Sequence, residues 1–514
     1  VGGGINSLVT ASMLGKAGKK VLVFEARDQV GGLASTSEFA PGFKCNDIYD
    51  VVKWIDPRVM KQLNLESHGL ELHSPDLVRI ALDTQGQHIS FHRDPNETAG
   101  SIANHSEKDA KVWKAFTEYI DNLTYFIEKL YELTPPKLPN IGLKEAFSMR
   151  SMLSPIRKHG TRGLVDFMRV APMMMPELVD EWFENELLRA AVSTAGIHHL
   201  SFGPFAAATG LNLLHQHVHS EGVFQNAHFV KGGTSELANA LKLSAESVNV
   251  EIQTNSKVSA INVENGVCIG VTLESGESIQ ADQVVSGLDP QNTFIKLVGP
   301  SKLNPSFATQ LRNIKYRGST ARIHFALNGL LKINGIQEDQ MGTVFSVSPS
   351  IEYLERTSDS VKYGRLAEDP YVEFTIPSVI NPEFAPDGKH VLSATVQYAP
   401  YHLRGMNWSE ELKVQLKNNV VNVLKNYAPG ISTLIESSSV LSPVDLESQF
   451  GLTEGNLNHG EMTLDQFMFM RPTISTAQYK SPIENLYLCG PGTHPGGGLH
   501  GANGFNAAKE ILKR

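Results

Sequence analysis

Three small residues near the start of the chain, Gly2, Gly4 and Ser7, have the spacing of a phosphate-binding turn. A segment with apolar residues at helical spacing follows them, and then a strand-like run that ends at Glu25. In such a unit the first glycine allows a tight turn, the second lets a diphosphate approach the backbone, and the acid binds ribose hydroxyls. Ser7 replaces the usual third glycine, from which we expect a small loss of helix–strand packing. The N–H groups expected to hold the phosphates belong to Ile5, Asn6 and Ser7.

A second glycine pair, Gly31 and Gly32, follows Glu25 closely. The pair resembles the second FAD fingerprint of the large flavoprotein family that includes amine oxidases and phytoene desaturases. A doublet here lets the backbone pass close to the diphosphate and the ribityl chain. An NAD dehydrogenase has no need of this second glycine pair. FAD is therefore the predicted cofactor. The residues of this segment expected at FAD are Glu25, Ala26, Arg27, Gly31, Gly32, Leu33 and Ser35.

The other end of the chain carries a matching signal. A strand-like run over 485–490 precedes a glycine-rich loop, and an apolar helical pattern begins near Phe505. Such an arrangement directs backbone N–H groups towards an anion. In flavoproteins of this type the loop lies along the flavin ring, where the helix start stabilises the reduced flavin. The residues expected there are Gly490, His494, Gly497, Gly498 and Leu499.

The middle of the chain is expected to supply a third cofactor segment. Residues 231–237 lead into a helical pattern, and Asn265-Gly266 predicts a hairpin turn between two strands. A strand near 284–286 would return to the cofactor. In this fold the backbone at Val258 would clamp the adenine.

Together these segments resemble the phytoene desaturase-type FAD oxidoreductases. The closer resemblance is to the branch with the desaturase-type β-carotene ketolases and the animal proteins called pyridine nucleotide-disulphide oxidoreductase domain-containing protein 2. The motifs that carry it are Thr-His-Pro-Gly-Gly-Gly at 493–498 and the segments 455–456, 459–466 and 471–472. The resemblance implies an α/β fold (α+β overall), with a Rossmann-like FAD-binding domain of the amine oxidase/phytoene desaturase type and an inserted mixed α/β substrate domain.

The predicted cofactor domain is discontinuous and comprises residues 1–74, 226–300 and 466–514. The substrate domain is expected to comprise 75–225 and 301–465, with an apolar, membrane-facing helical insert near 145–220.

Composition and charge exclude several other classes. The chain has 514 residues, a net charge of −9 and no run of Lys or Arg, so no nucleic-acid partner is expected. No stretch approaches the ~20 uninterrupted apolar residues of a membrane span, and any membrane contact should be peripheral. The chain begins at Val1 inside a strand-like run, so we expect the natural N-terminus, with any targeting peptide, to lie upstream.

The three cysteines, Cys45, Cys268 and Cys489, are far apart in the sequence. This spacing excludes the paired-cysteine chemistry of a disulphide reductase and favours an intracellular, reducing compartment. Cys489 is expected to be a buried strand thiol rather than a covalent flavin link, so FAD should be bound non-covalently.

A methionine-rich segment contains Met168, Met173, Met174 and Met175. Methionine adapts to long apolar ligands, and we predict that these side chains line an apolar channel open towards the flavin. The alternative is an ordinary core helix broken by proline. A set of histidines is expected to be structural or to contact substrate rather than to bind a metal; it comprises His198, His199, His215, His217 and His219.

Four residues are candidates for catalysis beside the flavin: His494, Glu461, Asp465 and Arg471. A carboxylate or a histidine can act as the general base that accepts the substrate proton. Glu461 and Asp465 would share one face if their segment were helical. The alternative is that the two acids mark a helix N-terminus.

The first functional hypothesis is an FAD-dependent oxidoreductase acting on a long apolar substrate of the carotenoid, isoprenoid or polyene type. It would transfer a hydride from a CH–CH or CH group to flavin N5, by desaturation or ketolation, with a quinone or oxygen as electron acceptor. Two alternatives stay open: an isomerase or hydratase without net redox chemistry, and a non-catalytic flavin-stabilised interaction protein. Amine oxidation is weaker, because no aromatic pair is evident near the C-terminal loop. The sequence indicates no oligomeric state.

Overall fold

The computed structural model describes residues 1–83, 86–136, 142, 150 and 153–513. In this part of the chain the α-helices are α1 (Ile5–Lys16), α2 (Pro57–Leu63), α3 (Pro95–Ala103), α4 (Glu107–Tyr131), α5 (Leu153–Val170), α6 (Met175–Asp180), α7 (Glu186–Ile197), α8 (Thr209–Gln216), α9 (Ser235–Glu246), α10 (Pro305–Arg312), α11 (Ile351–Tyr363), α12 (Glu410–Lys425), α13 (Ile431–Leu434), α14 (Pro443–Phe450) and α15 (Ala502–Ile511).

The strands in the same residues are β1 (Leu22–Phe24), β2 (Thr36–Ala40), β3 (Phe43–Asn46), β4 (Leu72–His73), β5 (Leu77–Leu82), β6 (His88–His92), β7 (Phe229–Val230), β8 (Glu251–Gln253), β9 (Val258–Glu264), β10 (Val267–Leu273), β11 (Ser278–Gln280), β12 (Val284–Ser286), β13 (Thr320–Leu327), β14 (Val344–Val347), β15 (Tyr371–Thr375), β16 (His390–Gln397), β17 (Ile435–Leu441) and β18 (Leu486–Leu488). Short 3₁₀ segments lie at Leu65–His68, Pro300–Lys302, Glu338–Gln340, Pro377–Val379, Pro382–Phe384, Thr453–Gly455, Leu464–Gln466 and Met468–Met470, and a π-helix at Gln291–Val298.

A parallel layer joins both ends of the chain. Strand β8 pairs with β1, and β12 pairs with β18, in parallel. The first residues lie between these pairs, since Gly2 N donates to Phe24 O and Gly287 N donates to Val1 O, each at 2.9 Å. Helix α1 packs against α9 and α15, which explains why nine of its twelve residues are buried. The layer therefore brings the N-terminal turn and the C-terminal loop to the same edge of a sheet.

The predicted hairpin is present in the middle segment. Strands β9 and β10 pair antiparallel, and β11 adds to β10. Asn265 and Gly266 adopt φ values of 49° and 82° between the two strands. Positive φ at both central residues is the geometry that an Asn-Gly turn favours, because asparagine and glycine tolerate the left-handed region best.

A seven-stranded sheet forms the second body of the molecule, in the order β17-β13-β16-β15-β14-β5-β6. Of the six pairs of neighbouring strands in this sheet, β14 and β5 run parallel and the other five pairs run antiparallel. Strands β5 and β6 come from the first predicted insertion and the other five from the second, so a single sheet unites the two. All eight residues of β13 are buried, as expected for a central strand covered on both faces.

Helices α4 to α8 pack together beside this sheet around Trp113 and Phe116. Helix α4 begins after Ser106, whose hydroxyl accepts from Asp109 N at 3.2 Å. The buried Asp109 carboxylate accepts from Asn185 N at 2.7 Å, which fixes the start of α7 against α4. Among the described helices, none combines the length and apolar character needed to cross a membrane.

Candidate functional site

The N-terminal turn forms a cradle of backbone at the start of α1. Gly4 precedes the helix, and neither a side-chain cap nor a first-turn acid occupies its N-terminus. The first N–H groups of a helix need partners, and this end is therefore arranged for an anion. Gly2 and Gly32 adopt φ values of +83° and +63°, and a Cβ on Gly32 would lie 3.1 Å from Gly4 Cα. Two glycine segments thus pass each other with no room for side chains.

Glu25 holds the two glycine segments together. Its Oε2 accepts from Gly3 N at 2.6 Å and its Oε1 from Arg27 N at 2.9 Å, and Gly31 N donates to Gly3 O at 2.8 Å. The carboxylate is buried but lines the cavity described below, where a ribose would meet it.

Ser7 fits the position of the usual third glycine because the opposite backbone has no side chain. A Cβ on Gly287 would lie only 2.0 Å from Ser7 Oγ. The hydroxyl also lies 3.7 Å from Cys489 Sγ, so it fills the space between α1 and β18. The expected small loss of packing is therefore compensated by Gly287, which directly follows strand β12.

A cavity of about 700 Å³, which we call the cofactor cavity, runs along these segments. Its walls also include residues for which the sequence provided no signal: Lys257, Asn292, Lys296 and the segment 448–452. Arg27 stacks over the Phe450 ring at 4.9 Å and donates to Gly32 O at 2.6 Å. The predicted cofactor residues that line the cavity are Gly2, Gly4, Ile5, Asn6, Ser7, Glu25, Ala26, Arg27, Gly31, Gly32, Leu33, Val258, Gly498 and Leu499.

Four predicted cofactor residues lie behind this surface. Ser35 is buried and donates to Asp47 Oδ2 at 2.6 Å. Gly490 lies against Gly287, since a Cβ on it would be 2.3 Å from that residue's carbonyl oxygen. His494 and Gly497 do not line the cofactor cavity either. Gly490, His494 and Gly497 thus shape the C-terminal loop. Sequence spacing alone does not distinguish this structural role from direct contact with the cofactor.

The C-terminal loop is held tightly between β18 and α15. A Cβ on Gly497 would lie 1.8 Å from Asn458 Oδ1, so only glycine fits there. The Gly497 carbonyl lies 3.1 Å from Nε2 of His215 and of His500. The His500 ring stacks on Trp54, with ring centroids 4.2 Å apart and planes 4° from parallel. The helix begins at Ala502 rather than near Phe505, because Gly501 at φ +73° allows the turn into it.

A second cavity, of about 90 Å³, lies on the other side of Gly498 and Leu499. We call it the inner cavity. Tyr49, Gly498 and Leu499 line both cavities, so a ligand in one adjoins a ligand in the other. The inner cavity is covered by the segment 48–54 and by the ends of α7 and α8, with His198, His199 and His215.

The floor of the inner cavity is a polar face of the seven-stranded sheet. Glu373, Thr395 and Arg322 face one another across β15, β16 and β13. Thr375 lies two residues after Glu373, and its cross-strand partner Ser393 lies two residues before Thr395. Side chains two residues apart point to the same face of a strand, so these groups form two adjacent rows. All five line the cavity.

Ion pairs and burial together determine which groups around the inner cavity are charged. Arg322 Nη2 pairs with Asp50 Oδ2 at 2.7 Å, both almost fully buried, and Arg79 Nη1 pairs with Glu373 Oε2 at 2.7 Å. Burial lowers the pKa of Lys53 to about 8. Burial also lowers the pKa of His199 and of His215 to about 3, so these imidazoles are neutral at pH 7.

The five histidines of the histidine-rich stretch lie in two different environments. His198, His199 and His215 line the inner cavity, whereas His217 contacts Leu213 O inside the helical core at 2.8 Å, and His219 lies 3.6 Å from Glu128. In the described parts of the chain, no three His, Cys, Asp or Glu side chains are grouped as a metal site would need.

Two predicted catalytic residues, His494 and Arg471, are buried outside both cavities. His494 Nε2 contacts Leu130 O at 3.0 Å, and burial lowers its pKa to about 4. Arg471 donates to backbone carbonyls, including Pro491 O at 2.8 Å and Gly460 O at 2.8 Å. These contacts correct the catalytic interpretation: both residues hold the C-terminal loop against neighbouring segments.

The predicted helical arrangement and catalytic role of Glu461 and Asp465 are also corrected. Their segment is not an α-helix, since only a short 3₁₀ turn at Leu464–Gln466 is present, so they share no helical face. Glu461 is buried, pairs with Arg317 Nη2 at 2.5 Å and accepts from Ser201 N at 2.8 Å. Asp465 is exposed and pairs with Lys315 Nζ at 3.0 Å. Neither acid lines a cavity described above.

The methionine segment does not reach the flavin side of the molecule. Met175 is fully buried in the helical core, where it fills the space beside Gly196, and Met173 packs against the same core. Met168 is 67% exposed, and Met174 precedes α6. None of the four lines the cofactor cavity or the inner cavity. The predicted channel wall is thus wrong for these residues, because the proline-broken helices turn them into the core or to solvent.

Cys489 is a buried thiol on the strand side of the C-terminal loop, as predicted. Burial raises its pKa, so the unreactive protonated form dominates at neutral pH. It does not line the cofactor cavity.

Comparison with known proteins agrees with this geometry. The chain is 32% identical to rat pyridine nucleotide-disulfide oxidoreductase domain-containing protein 2, with 100% of this chain and 92% of that protein covered. It is 25% identical to the lycopene-forming phytoene desaturase of Pseudescherichia vulneris, covering 98% and 95% respectively. An oxidoreductase structure from Methanosarcina mazei has the same fold, with a TM-score of 0.60, 15% identity and coverage of 100% and 99%.

The family model described as flavin containing amine oxidoreductase matches residues 8–512. This match and the relatives confirm the suspected resemblance and the predicted fold class, a Rossmann-like FAD-binding domain with a substrate domain. The glycine cradle, the open helix start and the cofactor cavity fit FAD, which is the cofactor of the protein. The chain therefore belongs to the family of flavin-containing amine oxidoreductases and is an FAD-dependent oxidoreductase.

Proposed function

We propose that the chain removes a hydride from a carbon atom of a substrate bound in the inner cavity. When bound, FAD supplies the hydride acceptor. The observation that carries the proposal is that Tyr49, Gly498 and Leu499 line both cavities. A substrate in the inner cavity would thus adjoin the end of the cofactor cavity formed by the C-terminal loop, where the flavin ring of such proteins lies.

The residues around the inner cavity would orient the substrate and exclude water. Tyr49 and His199 meet edge to face, with ring centroids 5.8 Å apart, and close one wall. His199 Nε2 is buried and has no hydrogen-bond partner among the described residues, so it offers a hydrogen bond to a substrate oxygen or nitrogen. Exclusion of water by a bound substrate would also limit side reactions of the reduced flavin with solvent.

The substrate class is the finer part of the proposal. The lycopene-forming phytoene desaturase among the relatives supports desaturation of an isoprenoid or polyene. The inner cavity modifies this hypothesis, because its walls carry Lys53, Arg322 and Glu373. A volume of about 90 Å³ also accommodates only a short segment of a long chain. We therefore propose an isoprenoid-like substrate whose part beside the flavin carries a polar group.

The test is anaerobic reduction of the bound flavin by a panel of substrates. The panel comprises phytoene in detergent micelles, a short prenyl alcohol, the matching prenyl carboxylic acid and a primary amine. The expected result is bleaching of the flavin absorption with a prenyl compound and a product lighter by two hydrogen atoms. Bleaching by the amine alone, or no bleaching by any member, would overturn the proposal.

The same experiment separates the alternative reactions. An isomerase would convert substrate without a mass change and only after the flavin had been reduced beforehand. We also propose that the electron acceptor is a quinone or oxygen. The reduced enzyme is mixed with oxygen or with a soluble quinone, and the acceptor that reoxidises the flavin faster is identified.

A further inference from the structure

We infer that the inner cavity binds a carboxylate of the substrate and that Lys53 is its counter-ion. This inference rests on the proposed function, because that function places the substrate carboxylate beside the flavin. It specifies which polar group the substrate carries.

The first step is the pairing of charges around the cavity. Arg322 is paired with Asp50, and Arg79 with Glu373, each at 2.7 Å. Lys53 Nζ donates to the neutral Gln216 Oε1 at 2.7 Å. In the described chain, no carboxylate oxygen lies within 4.0 Å of this amine. One positive charge at the cavity is therefore left without an anionic partner.

The second step is an unmet hydrogen bond of His199, which lies beside the segment 48–54 in the cover of the cavity. His199 Nε2 is buried without a partner among the described residues, while Nδ1 of the same ring lies 3.3 Å from Thr320 Oγ1. A buried polar atom without a partner costs free energy. A ligand oxygen in the cavity would satisfy it, so the unpaired nitrogen and the unpaired amine both point to an oxygen-bearing ligand.

The third step is the size and charge of that ligand. Lys53, Arg79 and Arg322 oppose two carboxylates, Asp50 and Glu373, which leaves an excess of one positive charge. Burial of an unpaired charge is unfavourable, and a single negative charge would remove the penalty. A monoanion matches this excess better than a doubly charged phosphate. The volume of about 90 Å³ fits a carboxylate with a few carbons.

The arrangement also orients the substrate. Lys53 lies on the segment that covers the cavity, and Gly498 and Leu499 lie on the flavin side of it. A carboxylate held at the amine would fix one end of the substrate and leave a neighbouring carbon to face the flavin. Binding at a remote charge is a common means of positioning a reacting carbon.

The test is a titration of the FAD-loaded protein, followed by the change in flavin absorption. The probes are 3-methylbut-2-enoate, its amide 3-methylbut-2-enamide, and 3-methylbut-2-enyl phosphate. We expect the carboxylate to bind at least about tenfold more tightly than the amide or the phosphate. Equal binding of the amide, tighter binding of the phosphate, or no binding of the carboxylate would overturn the inference.

Variants make the assignment specific to Lys53. Lys53→Met should weaken carboxylate binding at least about tenfold and leave amide binding unchanged, whereas Lys53→Arg should retain it within a few-fold. The matched control is Lys389→Met, which removes a half-buried lysine paired with Glu436, outside the cavity, and should change neither. Equal carboxylate affinity in wild type and Lys53→Met would overturn the inference, and the wild-type comparison of probes decides it if that variant does not fold.

The outcomes distinguish this inference from the proposed function. Tight carboxylate binding without bleaching by any carboxylate or other panel member would refute hydride transfer and keep the anion site. Bleaching by a neutral prenyl compound, with no preference for the carboxylate, would keep hydride transfer and refute the anion site.

Discussion

Glu373 and Arg322 flank Thr395 in one cross-strand row of the seven-stranded sheet, so that a carboxylate and a guanidinium face the same cavity. Each is paired outside the row, Glu373 with Arg79 and Arg322 with Asp50. Because paired charges are already satisfied, the charge available to a ligand belongs to Lys53 on the opposite wall. The cavity beside the flavin loop therefore carries charged and polar groups among its apolar walls, which differs from the purely apolar channel that the methionines led us to expect.

Gly31→Ala should abolish most flavin binding. Gly31 adopts φ +122°, and a Cβ there would lie 2.4 Å from Ala34 O and 2.7 Å from Ala238 Cβ. The substitution must therefore shift the second glycine segment out of the cradle. We expect the flavin content per chain to fall at least about tenfold, measured by absorption after gel filtration. Gly100→Ala, where nothing lies within 4 Å, should keep the wild-type content; wild-type content in Gly31→Ala would contradict the assigned cradle.

Arg471→Ala should destabilise the fold rather than act on the chemistry. Arg471 is 2% exposed, and its guanidinium donates to the carbonyls of Pro491, Gly460 and Gln466. Removing it leaves several buried carbonyl groups without donors, so the free energy of unfolding should fall by about 3–5 kcal/mol in urea titrations. Arg162→Ala, at a 94% exposed side chain, is the control. A variant of unchanged stability that loses only turnover would restore the catalytic interpretation.

His494 should make the fold sensitive to acid. Burial lowers its pKa from 6.5 to about 4, so the unfolded chain binds the proton first. Its contribution to stability is complete above pH 6.5 and is lost as pH falls from 6.5 towards 4.

The corresponding measurement compares wild type with His494→Gln. Between pH 7.5 and pH 5 the wild-type protein should lose about 2 kcal/mol more than the variant. His402→Gln, at a 74% exposed side chain, should follow the wild type. Parallel pH profiles for wild type and His494→Gln would show that the histidine titrates normally.

FAD should be released when the protein is unfolded. Cys489 is buried, burial raises its pKa, and it does not line the cofactor cavity. Acid precipitation should leave the flavin colour in the supernatant, and Cys489→Ala should keep the flavin content of the wild type within about twofold. Flavin that stays with the precipitated wild-type chain, but not with the variant, would demonstrate a covalent link.

Carboxylate binding should weaken as pH rises through about 8. Burial lowers the pKa of Lys53 to that value, with Glu373 acting to raise it and Arg79 to lower it. The charged amine is present below this pH and is lost above it, so affinity should be constant near pH 6–7 and fall about tenfold per pH unit above 8. The histidines around Lys53 are neutral in this range because burial lowers their pKa: His198, His199, His215 and His217. In Lys53→Met the dependence should vanish; affinity that rises with pH would indicate that Lys53 acts as a base.

The cofactor half of the site was predictable because its signals are local. A glycine with positive φ, an uncapped helix start and an acid at the end of a strand depend on a few neighbouring residues, and their order along the chain is visible in the sequence. Ser7 shows the limit even here, since its fit depends on Gly287, far away in sequence.

The substrate half was not predictable in the same way. Arg322, Glu373 and Thr395 alternate with apolar residues in their strands, a pattern that also describes an ordinary solvent-facing sheet. Burial under the segment 48–54 and the ends of α7 and α8 makes those positions a cavity wall. Met175 and Glu461 illustrate the converse, because local composition (Met175) and position near the flavin motifs (Glu461) suggested function, whereas packing assigned both to the interior.

By itself the sequence determined the family, the cofactor and the two glycine-rich turns, because backbone conformation at glycine and helix ends is a short-range property. The tertiary structure alone decided which charges meet beside the flavin. Three adjacent strands, a covering segment and two helix ends from distant parts of the chain converge there, and the pairing of Asp50 and Glu373 with arginines leaves Lys53 unpaired only in that arrangement.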